Sequence, residues 1–152
     1  MDIAKELNHT YLFRGLSPAV ISTIAALASV KSFQGGDTLM RQFERSNDLF
    51  ILLEGEARIR SFSGESIAEF GPGSVLGEMS LIDDLPRSAT VVAVGKVRAA
   101  VLSAPLLQSI MDMDSAVAAT IHANLAKVLS RKLRSMNSQV ERQDETKRLT
   151  HV

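Results

Sequence analysis

The stretch "GSVLGEMSLIDDLPRSATVVAV", residues 73–94, sets a glycine and a glutamate ahead of a short polar helical turn, then a Pro-Arg-Ser, then a run of β-branched residues. Gly77-Glu78-Met79-Ser80-Leu81 reads as one helical turn, and the first N–H groups of such a turn have no partner within it, which favours a nearby anion. Arg87 follows nine residues after Glu78. Its guanidinium is a planar fork suited to phosphate oxygens, and Pro86 restricts the backbone in front of it, so the arginine can be aimed. Ser88 adds a hydroxyl beside it. A carboxylate such as Glu78 does not bind phosphate, but next to a phosphate site it suits a sugar hydroxyl, the role an acidic residue has toward ribose in dinucleotide folds. Phosphate and ribose together point to a nucleotide. Two plainer readings stand beside this one: Arg87 as a surface ion-pair partner of Asp83 or Asp84, and Glu78 as a favourable acid in a first helical turn.

Outward from this stretch, Gly35-Gly36-Asp37, Gly55, Ser63-Gly64-Glu65, Gly71-Pro72-Gly73 and Gly95-Lys96 punctuate runs rich in Val, Ile, Leu and Phe. That spacing predicts a compact all-β unit closed as a barrel, sandwich or jelly roll. Leu49-Phe50-Ile51-Leu52-Leu53 is continuously apolar and reads as a central strand, whereas Ala57–Phe62 alternates and predicts one wet face. The two are expected to be neighbours across a turn at Glu54-Gly55-Glu56. Before them, Ser17 and Pro18 open a short helix through Ala28 with an N-cap and a first-position proline. After Ser103 the apolar period becomes 3.6, from Leu106 through Leu125, Leu133 and Val140, giving a long helix broken near Asp112-Met113-Asp114. Its apolar stripe beside Lys127, Arg131, Lys132 and Arg134 is wider than one helix needs if it stands clear of the barrel, so a homodimeric seam is expected. Residues 143–152 read as a polar, fraying tail.

Composition limits the function classes. The 152 residues, 45% apolar and 22% charged, describe one domain with a real core, and Lys plus Arg balances Asp plus Glu at 17 each. No global field draws the chain to nucleic acid or an anionic membrane. The absence of cysteine removes disulfides, thiolate nucleophiles and cysteine metal sites. His9, His122 and His151 are scattered, so no metal site is expected, and no nucleophile with an adjacent base or carboxylate pair supports an enzyme. No run approaches the roughly 20 apolar residues of a membrane span, and the N-terminus lacks the order of a secretion signal. The expected location is the cytoplasm.

With those residues in view, the 73–94 stretch resembles the phosphate-binding cassette of the cyclic nucleotide-binding domain family. The likeness extends to "GGDTLMRQFERSNDLFILLEGEARI", residues 35–59, which resembles the family's early strands. Leu12-Phe13-Arg14-Gly15-Leu16-Ser17 is similar to its N-terminal helical segment, and the helix after Ser103 lies where the family has its hinge helices. The resemblance implies a mainly β fold with flanking helices, a β-roll or jelly-roll barrel with short N-terminal helices and a long C-terminal one. It places the binding domain at 1–142, with N-terminal helices at 1–28, the barrel at 29–103 with its cassette at 75–91, and the hinge and C-terminal helix at 104–142.

Carried over residue by residue, the resemblance makes Arg87, with Ser88, the holder of the exocyclic phosphate and Glu78 the acceptor for the ribose 2′-OH. Gly77 is needed small, Val75 and Leu76 line the pocket beside sugar and base, Met79 belongs to the same ligand-binding set, and Ala89 extends the phosphate-side wall. A residue of the C-terminal helix is expected over the base, with Asn124, Lys127, Val128 and Arg131 as candidates. Ser88 in place of threonine leans toward cyclic AMP, with cyclic GMP as the other ligand. The implied function is a non-enzymatic sensor without a further cofactor, relaying ligand binding through its C-terminal helix to an effector protein or to homodimerisation. A ligand-independent dimerising scaffold of the same fold is the alternative. The few residues after 142 leave no space for a winged helix-turn-helix, so direct DNA binding is not expected.

Overall fold

The computed structural model describes residues 2–60 and 66–150, with side chains of the last helix described through Ser138. The expected turn at Ser63-Gly64-Glu65, His151 and the Val140 side chain lie outside the described residues. In chain order the elements are α1 (Ile3–Leu7), a 3-10 turn at Tyr11–Phe13, α2 (Pro18–Leu27), β1 (Ser29–Phe33), β2 (Thr38–Met40), β3 (Asp48–Arg60), β4 (Ser66–Phe70), β5 (Val75–Leu76), a 3-10 turn at Glu78–Leu81, β6 (Thr90–Ser103), α3 (Ala104–Met113) and α4 (Ser115–Thr150).

Helix α2 begins where its capping residues place it: Ser17 Oγ accepts from Val20 N at 3.3 Å, and Pro18 occupies the first turn. The strands form one antiparallel sheet in the order β1-β6-β3-β4, with β2 also on β6 and β5 also on β3. The long strands β3 and β6 pair along nearly their whole length, from Asp48↔Ser103 to Arg60↔Thr90. Each meets a different short partner in each half, so the ribbon they form is the spine of a β-roll.

Here the structure corrects one expectation. Glu54-Gly55-Glu56 is not a turn between neighbouring strands, because β3 runs through it and both halves pair with β6 across register shifts at Leu52/Glu54 and Glu54/Glu56. Gly95-Lys96 likewise lies inside β6. Gly55 has φ 84°, and a Cβ there would collide with Lys96 O. A glycine at a bulge and a glycine at a turn read alike in sequence, since both supply positive φ.

The continuous apolar run in β3 follows from burial on both faces. Leu49 and Ile51, with Ala100 and Leu102 of β6, face a core shared with the helices, where they join Leu12, Phe13, Ile24, Leu107 and Ile121. The alternate residues Phe50, Leu52, Ala99 and Val101 face the inside of the roll with Met40, Ile59, Leu76 and Val91. The two cores share β3 and β6.

In the C-terminal region the expected break is present and the last helix runs further than expected. The break before α4 falls at Asp114, which caps the helix by accepting from Ala116 N at 3.0 Å and Val117 N at 3.3 Å. Beyond it the apolar stripe is used within the chain: Val117, Ile121, Leu125 and Val128 are buried in the helical core. As far as Val128 the stripe meets the chain's own helical core, while Leu133 further along is 60% exposed. The backbone also stays helical to Thr150, where a fraying tail from Gln143 is expected. Extending a formed helix through Glu, Arg, Gln and Lys adds one hydrogen bond per residue fixed, with no new nucleation cost.

Candidate functional site

Strand β5 ends at Gly77, whose φ of 81° turns the chain into the Glu78–Leu81 turn. The segment then descends through Asp83 to Pro86 and Arg87. The Arg87 backbone is held on both sides by the 41–47 loop, its N–H donating to Glu44 O and its carbonyl accepting from Phe43 N, each at 2.8 Å. That clamp fixes where the side chain starts.

Arg87 is 5% exposed. Its Nη2 donates to Asp48 O at 2.6 Å and Ser46 Oγ at 3.2 Å, and Nη1 reaches Ser80 Oγ at 3.4 Å. Buried Nε has no hydrogen-bond partner among the described residues. No carboxylate oxygen among the described residues lies within ion-pair distance of it, so the surface pairing with Asp83 or Asp84 does not form. Burial holds its pKa below the ordinary arginine value, against the opposite pull of the Asp48, Glu44 and Glu78 carboxylates. A buried cation bonded only to neutral oxygens is electrostatically incomplete, and an anion completes it.

Glu78 is 4% exposed. Its Oε1 accepts from Lys132 Nζ at 2.7 Å, and the same ammonium donates to Val75 O at 2.6 Å. Burial lowers the Lys132 pKa, with the Glu78 carboxylate acting in the opposite direction.

A cavity of about 310 Å³ opens between these groups. Leu76, Gly77, Glu78 and Met79 form one side and Arg87, Ser88 and Ala89 the other, over a floor of Met40, Ile59 and Val91. Its size and its few convergent polar groups suit a small-molecule site. The exposed Ser88 hydroxyl rests 3.8 Å from Met79 Sδ. The structure thus brings Gly77, Glu78, Met79, Arg87, Ser88 and Ala89 together with Leu76. Val75 is the exception in the cassette: its side chain joins the helical core, and it contributes its carbonyl to Lys132.

The roof is a correction. None of Asn124, Lys127, Val128 and Arg131 lines the cavity; Leu129, Lys132, Leu133 and Met136 do. The two sets have identical spacing and differ by five residues, which at about 100° per residue turns the face by about 140°. The burial of Val128 in the helical core sets that phase. Asn124 Nδ2 instead donates to Leu12 O at 2.9 Å and Arg14 O at 2.8 Å. The Arg131 guanidinium stacks 5.4 Å from the Tyr11 ring centre, and Lys127 is exposed. Sequence reading also missed Ser46, Ser80 and the Asp48 carbonyl. The helical spacing of Leu129, Lys132, Leu133 and Met136 was the one available signal for the roof.

In this β-roll a buried guanidinium and a buried carboxylate border one cavity of a size that suits a small ligand. The family model of the cyclic nucleotide-binding domain matches residues 30–114, more than half of the chain, and the chain belongs to that family. It is similar to a cAMP-dependent protein kinase regulatory subunit of Mycosarcoma maydis, 32% identical over 94 residues that cover 60% of this chain and 18% of that protein. It is similar also to a CRP-like cAMP-activated global transcriptional regulator of Mycobacterium tuberculosis, 28% identical over 84% of this chain and 57% of that protein. The chain therefore spans less than two thirds of either relative. Among solved structures, a cyclic nucleotide-binding domain from Methylobacillus flagellatus shares the fold with a TM-score of 0.79 at 24% identity, covering 93% of this chain and 82% of that one.

Proposed function

We propose that this domain is a cyclic nucleotide sensor that prefers cyclic AMP to cyclic GMP and relays binding through α4. The observation that carries the reading is Arg87: a buried guanidinium with no carboxylate partner among the described residues, aimed into a cavity it shares with Glu78. The cyclic phosphate supplies the missing anion, with the Ser88 hydroxyl assisting, and the ribose 2′-OH donates to Glu78. The base lies on the apolar floor beneath Leu129, Leu133 and Met136. Ser88 at the position after the arginine, together with similar proteins that carry cyclic AMP in their names, supports the preference for the adenine nucleotide. The residues around the cavity bind and orient, and no step of bond making is assigned to them. The output passes to an effector protein or to a second copy.

Calorimetric titration with cyclic AMP and cyclic GMP in parallel tests this, with Arg87→Ala as the control. Cyclic AMP is expected to bind more tightly than cyclic GMP. Removing one partner of a buried charged contact costs about 2–5 kcal/mol, enough to lose the binding heat in the variant. Titrations silent for both nucleotides, or an Arg87→Ala variant that binds like the wild type, would overturn the reading and favour a ligand-independent scaffold.

A further inference from the structure

The Lys132 ammonium makes two short contacts, to Glu78 Oε1 at 2.7 Å and Val75 O at 2.6 Å, and lies 5.0 Å from the Phe70 ring centre. An ammonium has three donors and no acceptor, and these three neighbours account for its surroundings. The pair is desolvated, with side chains 13% and 5% exposed. Buried ion pairs add little net stability, but they hold their partners in one arrangement, because either charge left alone is costly.

Its place in α4 gives that constraint a use. The buried core contacts of the helix end at Val128, and the following roof is thin: Leu129 is half-buried and Leu133 is 60% exposed. Among the described residues from Leu129 to Ser138, Lys132 alone makes side-chain hydrogen bonds to the barrel. It grips the same carboxylate that faces the cavity. Lys132 also borders a second cavity of about 200 Å³ beside Tyr11 and Phe70, so there is space for the side chain once it leaves Glu78.

We propose that Lys132 is an internal occupant of the sugar-hydroxyl position, a tether that holds the roof segment of α4 on Glu78 and that a ribose hydroxyl must displace. This rests on the cyclic nucleotide reading for the identity of the competitor, while the tether itself concerns the ligand-free protein. Apparent affinity falls by the fraction of molecules in which the site is open. A tether that keeps most molecules closed therefore weakens apparent binding until Lys132 leaves Glu78, with Leu129, Leu133 and Met136 still over the cavity.

The test compares wild type, Lys132→Met and Lys132→Arg, with cyclic AMP and 2′-deoxy cyclic AMP as probes and amide hydrogen exchange of residues 129–138 read without ligand. Lys132→Met is expected to bind cyclic AMP about 5–20-fold more tightly, to gain little toward the 2′-deoxy nucleotide, and to exchange faster along the roof; Lys132→Arg stays near wild type. Unchanged or weaker cyclic AMP binding, an equal gain for both nucleotides, or unchanged exchange each sinks the proposal. If Lys132→Met fails to fold, Lys132→Gln, which keeps a donor but no charge, carries the same comparison. A wild type that binds neither nucleotide defeats the functional reading alone, and the exchange comparison still decides the tether.

Discussion

Gly77 and Arg87 show how little freedom the buried guanidinium has. A Cβ on Gly77 would stand 2.6 Å from Arg87 Nη1 and 2.7 Å from Asp48 O, on a backbone with φ 81°. Gly77→Ala is therefore expected to lose about 1–3 kcal/mol of stability through the strained backbone alone. It should also push the guanidinium off Asp48 O and weaken cyclic AMP binding by at least about tenfold, equivalent to about 1.4 kcal/mol. Urea denaturation and calorimetry measure the two effects. A variant that melts and binds like wild type would show that neither contact constrains the site. That Glu78 and Arg87 border one cavity was legible in sequence, because a short stretch with a turn and a proline joins them. Ser46 and the Asp48 carbonyl were not, since they reach Arg87 from 41 and 39 residues away.

The elements were legible in kind more than in use. Caps, prolines and the shift of period from two to 3.6 marked α2, α3 and α4, and the apolar run in β3 announced a strand buried on both faces. The bulge at Gly55 looked like a turn, because only the partner strand reveals that pairing resumes beyond it. Helix α4 raised the larger question of which surface its stripe covers. Leu125 is 4% exposed in the helical core, so Leu125→Glu buries a charge without a partner and is expected to cost about 3–5 kcal/mol. The urea midpoint should fall accordingly. A variant of unchanged stability but altered sedimentation would return Leu125 to a seam between two copies.

Over the whole molecule, one helix touches both cores: α4 is anchored by Ile121, Leu125 and Val128 in the helical core and reaches the barrel core through Met136. A ligand in the cavity would meet strands, cassette and roof together, so binding should register in global stability. With cyclic AMP at 100 times its dissociation constant, linkage adds about 2.7 kcal/mol, and a domain of this size gains about 2–4 °C per kcal/mol. The melting temperature should rise by about 5–10 °C with cyclic AMP and not in Arg87→Ala. A thermal scan that rises equally in both proteins would place the ligand somewhere other than this cavity.

Local features were legible in the sequence alone: the order of glycine, carboxylate, helical turn and proline-flanked arginine, the all-β character of the middle of the chain, and the helix that follows. These depend on neighbours within a turn or a strand, where residue type and spacing act directly. The tertiary structure alone decided the rotation of α4, and with it the replacement of Asn124, Lys127, Val128 and Arg131 by Leu129, Lys132, Leu133 and Met136 over the cavity. It also decided the Glu78–Lys132 pair, formed across 54 residues. The reason is physical: a helical stripe encodes that one face is apolar, but which surface that face meets depends on the shape of the core it closes.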